Sequence, residues 1–248
     1  KQSETFLSFL PLSHVLERTA GYYATLLSGH HVAFAEDVKK VMENMIEIQP
    51  TCMVSVPRLF EKIYSRVHEG VHQMSPFRKS LFHRALQVGR EYVDKKYVKR
   101  ESVGLLGLKY RFFDRLVFRK IRDRFGGRLR SFICGGAPLD KTVNEFMWII
   151  GIPVYNGYGL TETSPALTLS CIDEVRLDSV GKKLEKTELK VAADGELLVR
   201  GPQVMKGYYR NDEATRESFD DGWFKTGDIA RIDEEGFVYI VDRKKELI

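Results

Sequence analysis

The stretch Ile152-Pro153-Val154-Tyr155-Asn156-Gly157-Tyr158-Gly159-Leu160-Thr161-Glu162 decides the reading of this 248-residue chain. A short apolar run that ends in two closely spaced glycines is how a buried strand delivers backbone to a ligand at its carboxyl end. Gly157 and Gly159 permit positive φ and close approach, because neither has a Cβ. Tyr158 between them offers a flat face to a ring, and Thr161 and Glu162 offer hard oxygen ligands of the kind that suit Mg²⁺. A tight turn around a core tyrosine explains the same residues, so the segment has to be weighed with the rest of the chain.

Upstream, strands and helices alternate. Phe6-Leu7-Ser8-Phe9-Leu10 reads as a buried strand stopped by Pro11, with Leu12-Ser13-His14 as the following loop. A helix runs from there to Ser28 with Leu16, Ala20, Tyr23, Ala24 and Leu27 as its apolar positions, and Gly29 stands where a C-terminal cap belongs. Val32–Ala35 is the next strand. Asp37 caps a helix that ends before Pro50, Cys52–Val56 is again strand-like, and Pro57 opens a further helix at its first turn. Leu129–Cys134 is a strand running into Gly135-Gly136-Ala137-Pro138, and Asp140 caps a helix through Ile150. Strands alternating with helices imply right-handed crossovers and a parallel sheet covered on both faces. Two glycine-rich strand ends can wall one cleft, with bare backbone on one side and Tyr158 on the other, a slot for a planar base.

Residues 75–125 interrupt this rhythm with two long helical patterns, expected to pack as a hairpin with Ser102–Gly107 as the connection. The same region carries the charge asymmetry: residues 76–130 hold 17 Lys/Arg against 5 Asp/Glu, although the whole chain has a net charge of only +5. Such a block is a solvated helical face or a contact for anions; no aromatic-and-basic RNA signature or zinc-finger spacing accompanies it, which disfavours nucleic acid. The scattered histidines at 30, 31, 68, 72 and 83 show no metal-ligand spacing.

Composition bounds the rest. The apolar content is ample for a core, and no apolar run approaches the length that crosses a bilayer. Lys1-Gln2-Ser3 shows neither an initiator Met nor a signal peptide, so the first residue reads as a cut. Cys52, Cys134 and Cys171 are far apart and odd in number, which argues against a disulfide framework or a zinc site and fits a reducing, cytoplasmic setting.

After Cys171 the pattern changes to short strands with turns: Leu189–Val191, Glu196–Arg200, Ile229–Arg231 and Phe237–Val241, with Ala193-Asp194-Gly195 and Glu234-Glu235-Gly236 as turn signals. Asp212 is the expected cap of one short helix through Phe219. Trp223-Phe224-Lys225-Thr226-Gly227-Asp228 sets a carboxylate beyond an aromatic pair, where it can accept both hydroxyls of a ribose or simply serve a turn. The fold expected is α/β: a partial doubly wound parallel sheet with flanking helices over 1–171, with 76–125 as a helical insertion, then a small antiparallel β subdomain over 172–241. Residues 242–248 read as the start of a hinge.

Five motifs together resemble the adenylate-forming acyl-CoA synthetases. They are Leu10-Pro11-Leu12-Ser13-His14; Gly135-Gly136-Ala137-Pro138; Tyr158-Gly159-Leu160-Thr161-Glu162; Gly195-Glu196-Leu197-Leu198-Val199-Arg200-Gly201-Pro202 with Gly207-Tyr208-Tyr209; and Trp223–Asp228 followed by Asp242-Arg243. Each is weak alone, and their order over nearly the whole chain is specific. Leu10–Arg18 and Pro57-Arg58-Leu59-Phe60-Glu61-Lys62-Ile63 look most like the long-chain fatty acid branch.

The resemblance implies a two-step reaction in which a fatty acid carboxylate attacks the α-phosphate of ATP to give acyl-AMP, and the thiol of coenzyme A then displaces AMP. It implies that Glu162 binds Mg²⁺ and Thr161 an α-phosphate oxygen. Tyr158 and the backbone of Gly135 to Ala137, closed by Pro138, would sandwich adenine, with Asn156 near its exocyclic amine and Gly157, Gly159 and Leu160 completing the strand end. Asp228 would take the ribose hydroxyls, Arg243 and Lys245 the ribose or phosphates, and His14 would line the junction of acyl carboxylate and nucleotide. Arg18 stands where some long-chain members have an aromatic gate, so no gate is assigned. The family's Ser/Thr/Gly-rich phosphate loop before Phe6 and its lysine-bearing C-terminal domain lie outside these 248 residues, so this stretch by itself is expected to have little synthetase activity. Two rivals remain: an aryl- or medium-chain ligase with the same motifs, and a module that docks on anionic lipid through Lys95, Lys96, Lys99 and Arg100.

Overall fold

The computed structural model describes residues 3–244. Its contacts divide them into two units, residues 3–155 with 172–177 and residues 156–171 with 178–244.

The first unit is built on parallel strands. β1 (Thr5–Ser8) lies between β2 (His31–Phe34) and β3 (Cys52–Ser55), and β3 pairs with β4 (Ser131–Cys134), all in parallel. Beyond β4 the backbone N–H of Phe132 donates to Pro153 O at 2.9 Å, which brings in the start of β5 (Val154–Gly159). Parallel strands need crossovers, and helices supply them: a π-helical turn (Glu17–Tyr23) continuing into α1 (Ala24–Leu27), α2 (Val41–Ile48), α3 (Pro57–His72) and α7 (Lys141–Ile149). Their starts are where the sequence places them. Asp37 Oδ1 accepts from Lys39 N at 2.7 Å and caps the 3₁₀ turn Val38–Lys40 that leads into α2, Asp140 Oδ1 accepts from Thr142 N and Val143 N at 2.8 and 3.1 Å, and Pro57 opens α3. Gly29 takes the expected left-handed φ of +72° after α1. One core joins sheet and helices, with Phe60 edge-on to Phe132 at 5.0 Å.

The helical insertion is a packed pair, α4 (Pro76–Val93) against α5 (Gly104–Phe113), with the Tyr92 and Tyr110 rings stacked 4.0 Å apart. A π-helical turn (Asp114–Phe118) leads from α5 into α6 (Arg119–Asp123). The connection is shorter than expected, because Gly104 to Gly107 belong to α5. Gly107 does not break the helix; a Cβ there would meet the Val103 side chain at 3.1 Å, so the missing side chain lets Val103 fold over the first turn. Several of the insertion's charges are engaged: Lys96 donates to Tyr92 OH and lies over the Tyr92 and Tyr97 rings, Lys99 pairs with Asp94 at 2.7 Å, and Arg100 pairs with Glu174 at 3.6 Å.

The helix after His14 corrects the expectation most. Its buried residues are Glu17, Gly21 and Thr25, while Tyr23, Ala24 and Leu27 face outward. Three small or polar residues at a spacing of four let the helix sit close on the sheet, and the Glu17 carboxyl then meets Ser8 of β1. A Cβ at Gly21 would lie 2.5 Å from Glu17 Oε1.

The second unit continues β5 and is otherwise antiparallel. The strand does not stop at the glycines; it runs through them and pairs with β6 (Ala166–Leu169), which pairs with the two-residue β7 (Lys182–Lys183). Neither Gly157 nor Gly159 takes a positive φ. Gly159 is needed for close approach, since a Cβ there would lie 1.6 Å from Pro165 O. A separate sheet orders β10 (Phe219–Asp220), β11 (Trp223–Ile232), β9 (Glu196–Arg200) and β8 (Glu188–Val191), with β12 (Val238–Arg243) also on β11. Trp223–Asp228 is therefore the first half of a ten-residue strand, bent at Gly227 with φ +74°, rather than a turn. The turns at Gly195 and Gly236 are as expected. The cap of α8 (Asp212–Ser218) is Asn211, whose Oδ1 accepts from Ala214 N at 3.1 Å; Asp212 is the first helical residue.

All three cysteines are free: Cys171 is exposed, Cys52 half-buried and Cys134 buried, and burial pushes the Cys134 thiol up to about 12.

Two stability changes follow. Burial raises Glu17 from the usual 4.5 to about 6. The fold therefore favours its protonated form: the stabilisation is complete below pH 4.5 and is lost as pH rises through 6. Unfolding of Glu17→Gln across this range, compared with wild type, should show the variant gaining up to about 2 kcal/mol of relative stability from acid to neutral pH. A Cβ at Gly89 of α4 would lie 2.5 Å from Ile149 Cγ2 on α7. Gly89→Ala should lower stability by about 1–2 kcal/mol in denaturant titration, because overpacking outweighs the gain of up to about 1 kcal/mol in helix propensity.

Candidate active site

The chemistry of the second unit gathers on β5, β11 and β12. Asp228 lies on β11 just past the bend, 5% exposed, in register with Arg243 of β12. Its Oδ2 accepts from the Tyr158 hydroxyl at 2.5 Å, and its Oδ1 lies 3.5 Å from Arg243 Nε. Burial first, and the neighbouring carboxylate second, push the Tyr158 phenol well above its ordinary range, so it stays a donor. The bend carries a second set of contacts. Gly227 N donates to Glu196 Oε1 at 2.9 Å, and Lys244 Nζ reaches Glu196 Oε2 at 2.7 Å and Asp194 Oδ2 at 2.6 Å. Those hydrogen bonds raise the Lys244 ammonium above its usual value.

Asn156, also on β5, is 8% exposed. Its Nδ2 donates to Ser179 O at 3.3 Å, and its Oδ1 is buried with no partner among the described residues. A buried amide oxygen without a donor costs about 1–3 kcal/mol.

After β5 comes a 3₁₀ turn, Thr161–Thr163. Thr163 is fully buried and locks the turn, accepting from Leu160 N at 2.9 Å and donating to Pro165 O at 2.8 Å. Thr161 beside it is exposed. Glu162 accepts from the Tyr208 hydroxyl at 2.9 Å through Oε1, and its carbonyl accepts from Met205 N at 2.7 Å. Tyr208 received no role from the sequence, though the Gly207-Tyr208-Tyr209 motif marked the place. Asp194, Glu196 and Lys244 were likewise missed; the motif around Gly195 was the available signal.

In the first unit, the Gly135–Pro138 turn leaves β4 with Gly135 N donating to Ser55 O at 3.3 Å, and Gly136 takes φ +82°. Gly136, Ala137 and Pro138 are exposed at the strand's carboxyl end. His14 is exposed as well, its Nδ1 accepting from Leu16 N at 3.2 Å, which leaves Nε2 as the protonated nitrogen. Among the described residues no group of three or more His, Cys, Asp or Glu gathers as a metal site. Lys245 lies outside the described residues.

A family model described as "AMP-binding enzyme" matches residues 1–209. The long-chain-fatty-acid–CoA ligase FadD15 of Mycobacterium tuberculosis is 41% identical over 249 aligned positions, covering 100% of this chain and 41% of that protein. Long chain acyl-CoA synthetase 1 of Arabidopsis thaliana is 32% identical, covering 99% of this chain and 38% of that protein. The chain thus spans about two fifths of the length of these relatives. Among solved structures, ATP-bound MatB from Rhodopseudomonas palustris is 24% identical with a TM-score of 0.69, covering 99% of this chain and 41% of that one. The AMP complex of o-succinylbenzoate coenzyme A synthetase from Bacillus subtilis is 23% identical with a TM-score of 0.65, covering 99% and 42%. At that identity the likeness is one of fold. With the family model matching most of its length and the α/β fold shared, this chain belongs to the AMP-binding enzymes.

Proposed function

We propose that the chain is the nucleotide-holding part of an AMP-forming acyl-CoA synthetase acting on long-chain fatty acids. The observation that carries this reading is the set Asn156, Tyr158, Asp228 and Arg243, which pairs an unpartnered buried acceptor with a buried, hydrogen-bonded carboxylate. The exocyclic amine of adenine is a donor and Asn156 Oδ1 needs one. Ribose hydroxyls are donors too. An ionised carboxylate has about four lone-pair sites, so Asp228 retains acceptor capacity beside Tyr158 and Arg243. The Arg243 side chain is 66% exposed and can turn its remaining N–H groups to ribose or phosphate. Lys245 is proposed for the same anions, and Gly157, Gly159 and Leu160 for the strand end beneath the nucleotide.

Attack of a carboxylate on the α-phosphorus requires alignment and neutralised charge, both worth most where water is excluded. Thr161 is proposed to donate to an α-phosphate oxygen. Bound Mg²⁺ would supply charge neutralisation at the phosphates, and Glu162, steadied by Tyr208, is the carboxylate that would hold it. A lone carboxylate suits this ion, which keeps much of its water and takes further ligands from substrate phosphates. The backbone of Gly135 to Ala137, exposed from Gly136 onward, is proposed with Pro138 to meet adenine, and His14 the acyl carboxylate. Coenzyme A is the second-step substrate, and three free thiols fit a reducing cytoplasmic compartment. The long-chain preference rests on the relatives at 41% and 32% identity. The aryl- and medium-chain rival has no comparable support, since the solved structures share only the fold.

Two measurements test this. Fatty-acid-dependent exchange of pyrophosphate into ATP by the full-length protein that contains this stretch, run over a chain-length series, should give its highest kcat/KM with long chains; a maximum with acetate or an aryl acid removes that preference, and no exchange with any acid removes the synthetase reading. Asp228→Ala should weaken AMP binding about 10- to 100-fold by calorimetry, as expected for lost hydrogen bonds to a charged group. The loss should shrink for a nucleotide lacking both ribose hydroxyls; an equal loss for both ligands places Asp228 away from the ribose.

A further inference from the structure

The bend in β11 is a wide bulge. Lys225 pairs with Leu198 of β9 and Ile229 with Glu196, so Thr226, Gly227 and Asp228 lie opposite Leu197 alone. Regular pairing cannot hold such a segment, and bulges of this kind re-aim side chains. Three hydrogen bonds hold it instead. Thr226 Oγ1 donates to Leu197 O at 2.7 Å and accepts from Asp228 N at 3.2 Å, and Gly227 N donates to Glu196 Oε1 at 2.9 Å. Only the last of these uses a side chain from outside the bulge.

Glu196 is itself tightly fixed. It is 5% exposed, its N–H donates to Asp194 Oδ1 at 3.1 Å, and its carbonyl accepts from Ala192 N at 2.9 Å. Its Oε2 accepts from Lys244 Nζ at 2.7 Å, and the same ammonium meets Asp194 Oδ2 at 2.6 Å. Lys244 directly follows Arg243 in the chain. One buried carboxylate therefore has an oxygen on the residue before Asp228 and an oxygen on the residue after Arg243. A carboxylate is a costly group to bury, and a turn by itself does not call for one.

We infer that Glu196 is a positioning residue for ribose recognition, acting through the bulge to set where the Asp228 carboxylate stands and through Lys244 to hold the end of β12 beside it. The inference rests on the proposed role of Asp228 at the ribose. What the geometry demands of Glu196 is reach as well as charge. An acid one carbon shorter keeps the charge and cannot span from β9 to both Gly227 N and Lys244. An amide of equal length still offers an oxygen to Gly227 N, while Lys244, whose side chain is 44% exposed, keeps Asp194 as its partner.

The test is calorimetry of AMP, and of dideoxy-AMP lacking both ribose hydroxyls, with the full-length protein that contains this chain. Glu196→Gln should bind AMP within about threefold of wild type, and Glu196→Asp about tenfold more weakly, the worth of a misplaced hydrogen-bonding carboxylate. Dideoxy-AMP should bind wild type and both variants alike. In an Asp228→Ala background Glu196→Asp should cost nothing further, because the group that Glu196 positions is gone. Glu196→Ala also lacks the reach and carries the same expectations where Glu196→Asp does not fold. Equal weakening of both nucleotides by Glu196→Asp overturns the inference. So does a loss that persists undiminished in the Asp228→Ala background, or an AMP affinity lower in Glu196→Gln than in Glu196→Asp. A loss in Asp228→Ala with none in Glu196→Asp removes the inference alone, whereas wild-type AMP affinity in Asp228→Ala removes the ribose reading and the inference with it.

Discussion

An ionised carboxylate taken out of water loses several kcal/mol of solvation unless charge and hydrogen bonds replace it, and the second unit is arranged around one that has been so treated. Three strands converge on Asp228: β11 carries it, β12 brings Arg243 into register, and β5 brings the Tyr158 hydroxyl. The bend at Gly227 sets that geometry and is itself held by Glu196, which Lys244 neutralises. Two acids on neighbouring strands, Glu196 of β9 and Asp228 of β11, are thus paired with two consecutive bases, Lys244 and Arg243 respectively, at the end of β12. Every member is a partner of another, so the group is positioned before any ligand arrives.

Local devices were legible in the sequence; faces and partners were not. Asp37, Asp140 and Pro57 act on backbone within three residues of themselves, so their roles could be read without knowing the fold. The helix after His14 buries a different face from the one its apolar residues mark. What the sheet required there was closeness, which Gly21 and Thr25 provide and Tyr23 and Leu27 cannot. β6 escaped notice because its partner is the glycine-containing end of β5, which reads as a stop until the pairing is seen.

The site divides in the same way. Motif order marks Asn156, Tyr158, Glu162, Asp228 and Arg243 as candidates. Their hydrogen bonds span 70 residues for Tyr158 with Asp228 and 46 for Glu162 with Tyr208, distances over which no local pattern informs. Charge counting was similarly partial. It finds the excess over 76–130 but not its pairing, such as Lys99 with Asp94 and Arg100 with Glu174.

The three thiols amount to a depth gauge built into the chain. Cys171 lies open to reagent, Cys52 is half-covered with its Sγ accepting from Ser131 Oγ at 3.6 Å, and Cys134 is sealed within β4 with its thiolate disfavoured by burial. Alkylation at Cys171 reports the surface at the end of β6. Alkylation at Cys134 requires the parallel sheet to open, so its rate is a clock for the first unit's breathing, kept by an atom that takes no part in the chemistry proposed for the site.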